Sequence, residues 1–293
     1  MVSSLPIFGA DVTTNSSALP DAAQERARWS ASGAAWDRWS DPMADMADRL
    51  NLPLLDACGV MPGERVLDLA SGAGEPALSA AKRVGPAGHV IGIDLVPEML
   101  AGAIRRAADF SGKKPDFAIG DMTSLPFPDE HFDRVTCRFG IMFVPDIQSC
   151  MAETLRVLNR HGKAAFMVWG PLSDNTLFSE LDAAVSDIIG PDPKHSLNPL
   201  FRFEEPGSLG SLMTAAGFEN VTEESLRPTA RVPLDKPFWR ASLDMLFAPR
   251  LASARDGSRE RIEDAVRSHF SGVAVEGVCP LHLHARIIAG EAG

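Results

Sequence analysis

The chain has 293 residues, 45% of them hydrophobic and 23% charged, enough for one large buried core or a core with a cap. A formal net charge of -11 speaks against a nucleic-acid partner, because phosphate backbones call for a basic surface. Tyrosine is absent, which excludes any mechanism that uses a phenol side chain, and no apolar run approaches the length of a bilayer span.

Residues 1–20 are polar and Ser/Thr-rich, with no Lys or Arg before Arg26. A secretory signal has a basic start and an apolar run, so a flexible tail on a cytoplasmic protein is the expectation. Residues 21–59 read as a helical cap. Apolar positions from Met43 to Leu55 recur at helical spacing, and Gly59 follows where a helix C-terminus favours glycine. Residues 60–170 read as the central unit. Arg65 to Leu69 is a short apolar strand that runs into the turn Ser71-Gly72-Ala73-Gly74, and Ala77 to Val84 is the next helix. His89 to Leu95 is a second strand, followed by a helix with Pro97 at its first position. Asp116–Met122, Phe132–Phe139 and Lys163–Trp169 read as further strands, with a helix over Ile147–Leu158 between the last two. Such alternation predicts a doubly wound, mostly parallel α/β sheet covered on both faces. Residues 171–293 would complete that core. They include two helical lid insertions at about 171–203 and 237–270, a helix over Gly207–Ala216, a strand over Phe218–Leu226 and a closing strand over Leu281–Ala289. Cys58, Cys137, Cys150 and Cys279 lack metal-ligand spacing, so no metal site is expected.

The segment Val66 to Pro76, VLDLASGAGEP, carries the chemistry. Glycines after a first strand let the backbone approach a ligand, and the following helix offers its unpaired N–H groups. Asp94 lies at the end of the second strand, 22 residues after Gly72, where a carboxylate can accept bonds from the ribose hydroxyls of an adenosine. Gly120-Asp121-Met122 after the third strand offers an acid and an apolar side chain to an adenine edge and face. Each of these groups has a structural alternative. Asp68 and Asp121 are ordinary turn residues, Asp94 can start the helix at Pro97, and Trp36 and Trp39 can simply pack a helix.

With these motifs the sequence resembles the class I S-adenosylmethionine (SAM)-dependent methyltransferases, within them the ubiquinone/menaquinone-biosynthesis type. The resemblance implies a Rossmann-like seven-stranded sheet with an antiparallel last strand. It implies that Asp68, Ala70, Ser71, Gly72 and Gly74 hold the amino acid part of SAM, that Asp94, Leu95 and Met99 serve the ribose, and that Gly120, Asp121 and Met122 serve adenine. Cys137-Arg138-Phe139-Gly140 matches the stretch beside the methyl group, so Arg138 and Phe139 join the cofactor set. Trp36-Asp37-Arg38-Trp39 looks like an aromatic element that folds over the cofactor. Relatives commonly carry tyrosine there, so the role of a hydroxyl is not inherited by Trp36.

The implied reaction is in-line methyl transfer to a small-molecule acceptor: a quinone, a phenol or a natural product. By topology the acceptor sits over the strand ends, near Met142, Phe143 and Trp169. His282, His284 and Arg286 alternate along the closing strand, and His282, nearest the active edge, is the candidate base. Two rivals stand. A NAD-dependent oxidoreductase would want a third glycine, and Gly72-Ala73-Gly74-Glu75-Pro76-Ala77 has alanine there. A non-catalytic SAM-binding regulatory protein would show the same cofactor motifs. Amino-methylating DNA enzymes of this fold carry a Pro-Pro-aromatic motif where this chain has Arg138-Phe139-Gly140. A membrane partner is not expected, and the oligomeric state is left open.

Overall fold

In the computed structural model, which describes residues 22–293, the alternating pattern becomes helices and strands close to the expected bounds; the tail expected over 1–20 lies outside the described residues. Helices α1 (Ala22–Ser40) and α2 (Ala44–Cys58) precede β1 (Arg65–Leu69), α3 (Ala77–Val84), β2 (His89–Asp94), α4 (Pro97–Ala108), β3 (Asp116–Ile119) and β4 (Phe132–Arg138). Next come α5 (Ile147–Val157), β5 (Leu158–Trp169), α6 (Thr176–Ile189), α7 (Ser208–Ala216), β6 (Glu219–Leu226) and β7 (Thr229–Pro233). The chain closes with α8 (Trp239–Leu246), α9 (Ala248–Ala252), α10 (Ser258–Val273), β8 (Val278–His282) and β9 (Ala285–Glu291).

Seven strands form one sheet in the order β3-β2-β1-β4-β5-β9-β6. Its first five strands pair in parallel, and β9, last in the chain, runs antiparallel between β5 and β6. The apolar runs of β1, β4 and β5 are buried nearly throughout, as a sheet covered on both faces requires. From β1 the chain winds outward through β2 and β3, then returns to place β4 on the other side of β1. That reversal opens a crevice at the carboxyl ends of β1 and β4, where ligands bind in open α/β sheets. The register Asp68↔Thr136 and Leu69↔Cys137 brings the two loops together at that crevice.

Helix α2 covers one face. Leu54, Leu55 and Cys58 are fully buried, and Gly59 ends the helix in the left-handed conformation (φ 71°), its N–H bonded to Asp56 and Leu55 carbonyls. Each such leucine contributes about 1.5–3 kcal/mol by leaving water. All four cysteines are free and buried. Burial pushes the thiols of Cys58 and Cys150 up to about 12, so they pack as apolar groups.

The stretch 237–270, expected to be helical, forms three helices, with Pro249 opening α9 and Gly257 (φ 77°) preceding α10. The expected closing strand needs correction, because it is divided. Residues 278–282 pair with β7 in a separate two-stranded ribbon, and pairing with β5 and β6 begins only at Ala285. The switch is held from outside the strand. The Asn175 side-chain oxygen accepts the His284 N–H at 3.0 Å, and Leu283 N–H bonds to the Pro228 carbonyl. His282, His284 and Arg286 therefore do not share one face: His282 is exposed, while His284 and Arg286 are buried.

Candidate functional site

The glycine turn leaves β1 through backbone that few residues adopt. Ala70, Gly72 and Gly74 have φ of 54°, 52° and 98°, and at Gly74 a Cβ would lie 3.3 Å from the backbone of Ala103 on α4. The turn is clipped to β2 by Asp94, whose two oxygens accept the N–H groups of Gly72 and Val96, each at 3.0 Å. Burial raises the Asp94 pKa, and those N–H groups oppose the rise. Each oxygen keeps a further lone pair for an incoming hydroxyl.

Asp68 lies beneath the turn, fully buried. It accepts from Thr136 Oγ1 at 2.9 Å and from the Ala77 N–H at 3.2 Å, tying β1 to β4 and to the start of α3. Burial pushes its pKa up to about 7. Ser71 Oγ approaches Asp68 without a well-formed hydrogen bond. Met99 is buried with its terminal methyl against Gly72, Leu95 is half-buried beside Asp94, and the Gly120 N–H bonds to the Asp94 carbonyl at 3.0 Å. Asp121 is exposed and its side chain bonds to Thr123 at 2.8 Å (N–H) and 2.7 Å (hydroxyl), so it shapes the turn that carries half-buried Met122.

After β4 the backbone turns sharply at Phe139 (φ 58°), and a Cβ on Gly140 would lie 2.3 Å from that of Ala70, which brings the β1 and β4 loops into contact. Phe139 stacks on Trp169 at 3.8 Å, and Phe178 meets Trp169 edge to face at 5.0 Å. The Arg138 guanidinium sits near Glu75 and Asp68, and burial lowers its pKa despite those charges. Phe143 is half-buried, whereas Met142 is fully buried in the core. On α1, Trp36 is half-buried. Trp39 turns away, its Nε1–H bonded to Asp244 on α8 at 2.9 Å, and Asp37 pairs with Arg105 on α4 at 3.0 Å.

His282 is displaced from this group. It lies exposed at the end of β8 in the β7–β8 ribbon, with its ring 3.1 Å from Thr229 Oγ1. The buried histidine is His284, which packs against Gly170 and pairs with Asp174 at 2.8 Å. Glu75 stands at an unrestricted position of the glycine motif, and sequence reasoning assigns it no role. Its carboxylate accepts from Arg106 (2.6 Å), Asn51 (2.7 Å) and Ser79 (3.1 Å), linking the turn to α2, α3 and α4. The one available signal was an acid inside the glycine motif.

Three of the expected site residues share a property. Ser71 Oγ, Arg138 Nε and Trp36 Nε1 are buried polar atoms with no hydrogen-bond partner among the described residues. Groups of this kind are rare in proteins because each costs about 1–3 kcal/mol, and two of them, on Ser71 and Arg138, lie beside Asp68, which marks a place for a polar ligand. Among the described residues no cluster of His, Cys, Asp or Glu is arranged to hold a metal, and no helix is long and apolar enough to cross a membrane. Two clefts lie elsewhere, one between α7 and β6 and one along α8 and α10.

Fold and site define an α/β protein with a crevice at the topological switch point of its sheet. Comparison with known proteins carries this to a family. Residues 66–162 match a family model described as a methyltransferase domain. The arsenite methyltransferase of Halobacterium salinarum is 33% identical over 189 residues, which is 62% of this chain and 45% of that protein. The ubiquinone/menaquinone biosynthesis C-methyltransferase UbiE of Methylobacterium nodulans is 33% identical over 172 residues, 55% of this chain and 68% of that protein. Among solved structures, phosphoethanolamine N-methyltransferase 2 of Haemonchus contortus, in complex with S-adenosyl-L-methionine, shares the fold with a TM-score of 0.52 at 19% identity, covering 83% of this chain and 52% of that one. This chain belongs to the class I SAM-dependent methyltransferases of the ubiquinone/menaquinone type.

Proposed function

We propose that this protein transfers a methyl group from SAM to a small, fairly apolar acceptor of the quinone, phenol or natural-product kind. The observation that carries the reading is the pair of orphaned buried atoms on Ser71 and Arg138, beside a glycine turn clipped to Asp94. SAM, when bound, supplies an electrophilic methyl group on a sulfonium. The residues then have distinct tasks. Asp94 accepts hydrogen bonds from the ribose, Gly120 and Met122 flank the base, and Ser71 and Arg138, whose Oγ and Nε are unpaired, hold the amino acid end beside the glycine turn. Leu95 and Met99 line the ribose side. Phe139 and Trp169, stacked at 3.8 Å, form an apolar wall at the strand ends that excludes water and limits the approach of the acceptor. His282, exposed and hydrogen-bonded on the ribbon, is not proposed as a base. The similarity to UbiE and to an arsenite methyltransferase supports methyl transfer and leaves the acceptor to the pocket chemistry.

Isothermal calorimetry tests this reading. One site per chain is expected for SAM or its demethylated product S-adenosylhomocysteine, and none for NAD. Binding of NAD without SAM would overturn the proposal.

A further inference from the structure

Helix α1 brings a second group of unsatisfied polar atoms to the strand ends. Glu25, Arg28, Trp29, Ser32 and Trp36 recur at helical spacing and so lie along one face. Trp29 meets Phe143 edge to face at 4.8 Å and lies 6.1 Å from Trp36. The Arg28 guanidinium lies over both rings, 5.6 Å from Trp29 and 5.9 Å from Phe143. The side chains of Arg28 and Glu25 are only 10% and 11% exposed, yet their heads stand 3.9 Å apart, too far for a hydrogen bond. Glu25 Oε2 and Arg28 Nη2 have no hydrogen-bond partner among the described residues.

We propose that Glu25 and Arg28 form the polar end of the acceptor site and recognise a hydroxyl group on a ring-bearing, otherwise apolar molecule. This rests on the methyl-transfer reading above and names the chemistry of its second substrate. The choice of group follows from what the pair lacks. One buried acceptor, Oε2, and one buried donor, Nη2–H, belong to two heads that approach to 3.9 Å without bonding each other. A hydroxyl satisfies both at once, donating its proton to the carboxylate while its oxygen accepts from the guanidinium. A carbonyl or ether leaves Oε2 unpaired. A carboxylate is opposed by Glu25, and an ammonium by Arg28. The rings of Trp29 and Phe143 supply the apolar flank that a ring-bearing molecule needs. Burial raises the pKa of Glu25 against the opposing influence of Arg28 and Trp29, and lowers that of Arg28, as expected for a pair whose charges are incompletely matched.

The probes are 2-naphthol, 2-methoxynaphthalene and 2-naphthoate, titrated into the full chain saturated with S-adenosylhomocysteine and followed by quenching of tryptophan fluorescence. The wild type is expected to bind 2-naphthol at least ten-fold more tightly than either analogue. In Glu25→Ala and in Arg28→Met that preference should fall below three-fold while melting remains cooperative. Should a truncation fail to fold, Glu25→Gln and Arg28→Lys keep the bulk of each side chain and are expected to reduce the preference at least three-fold. Equal binding of the three probes by the wild type, no binding of 2-naphthol, or full preference retained in folded variants would overturn the pair's role. Calorimetry with S-adenosylhomocysteine alone separates this from the reading it rests on. Failure of that nucleoside to bind would sink methyl transfer, whatever the naphthol series shows.

Discussion

At the residue scale, the site is organised by carboxylates that bind their own backbone first. Asp94, whose place after the second strand suggests either a ribose ligand or a helix cap, clips the glycine turn as well as Val96. Replacing it by Asn keeps the size but leaves one good acceptor for two N–H groups and the ribose. Asp94→Asn is expected to weaken SAM by about 1–3 kcal/mol in calorimetry, the cost of stranding such bonds. Unchanged affinity would make Asp94 a purely structural clip. Asp68 makes a different prediction. Its pKa rises from an ordinary 3.8 to about 7 on folding, so the folded state binds this proton more tightly than the unfolded chain does. Its stabilising contribution is present below pH 4 and is lost as pH rises through about 7. Chemical denaturation between pH 5 and pH 8 should therefore show the wild type losing stability relative to Asp68→Asn as pH increases. A constant difference across that range would show that Asp68 keeps a normal pKa.

At the element scale, strands β1 to β5 and the helices between them were legible because period and punctuation agree. Apolar runs end at Gly72, Pro97 and Gly59, each of which the backbone uses where expected. The C-terminal ribbon was not legible. Nothing in Leu281 to Ala289 marks a break, because the break is imposed by Asn175 and Pro228, distant in sequence. The same limit hid the Glu75 network and the Glu25–Arg28 pair, whose meaning depends on elements packed against them. Helix α1 shows how far a local motif reads. Trp36 and Trp39 look equivalent in sequence, but three positions on a helix turn the rings toward different neighbours. Trp39 bonds to Asp244 of α8, whereas the Trp36 N–H is buried without a partner among the described residues. Trp39→Phe should lower stability by about 0.5–1.5 kcal/mol in denaturant melts and leave SAM affinity intact. Trp36→Phe should weaken SAM with little loss of stability. The reverse pattern would mean that Trp39, not Trp36, faces the cofactor.

At the scale of the whole molecule, α1 is a strap between the parallel half of the sheet and the C-terminal helices. It reaches α4 through Gly33, where a Cβ would lie 2.7 Å from that of Glu98, and through Asp37–Arg105. It reaches α8 through Trp39 and through Arg38–Asp244 at 3.3 Å. The Arg105 and Arg38 side chains are largely exposed, 47% and 63%, and ion pairs of that kind hold little. Helix α2, by contrast, buries Leu54, Leu55 and Cys58 completely. The strap should therefore open at lower free energy than α2, as segments that cover binding sites commonly do. A ligand held between strap and strand ends closes only if α1 is in place, so binding and strap closure are linked. At a free S-adenosylhomocysteine concentration 100 times its Kd, that linkage is worth about 2.7 kcal/mol, or roughly 100-fold in the opening equilibrium. Hydrogen exchange is the measurement. Without ligand the amides of α1 should exchange well ahead of those of α2, and with ligand they should slow by up to roughly 100-fold. Local exchange on α10, which packs chiefly against α6, should stay as it was. If α1 slows no more than α10, the ligand does not touch the strap, and both Trp36 and the Glu25–Arg28 pair lose their place in the site.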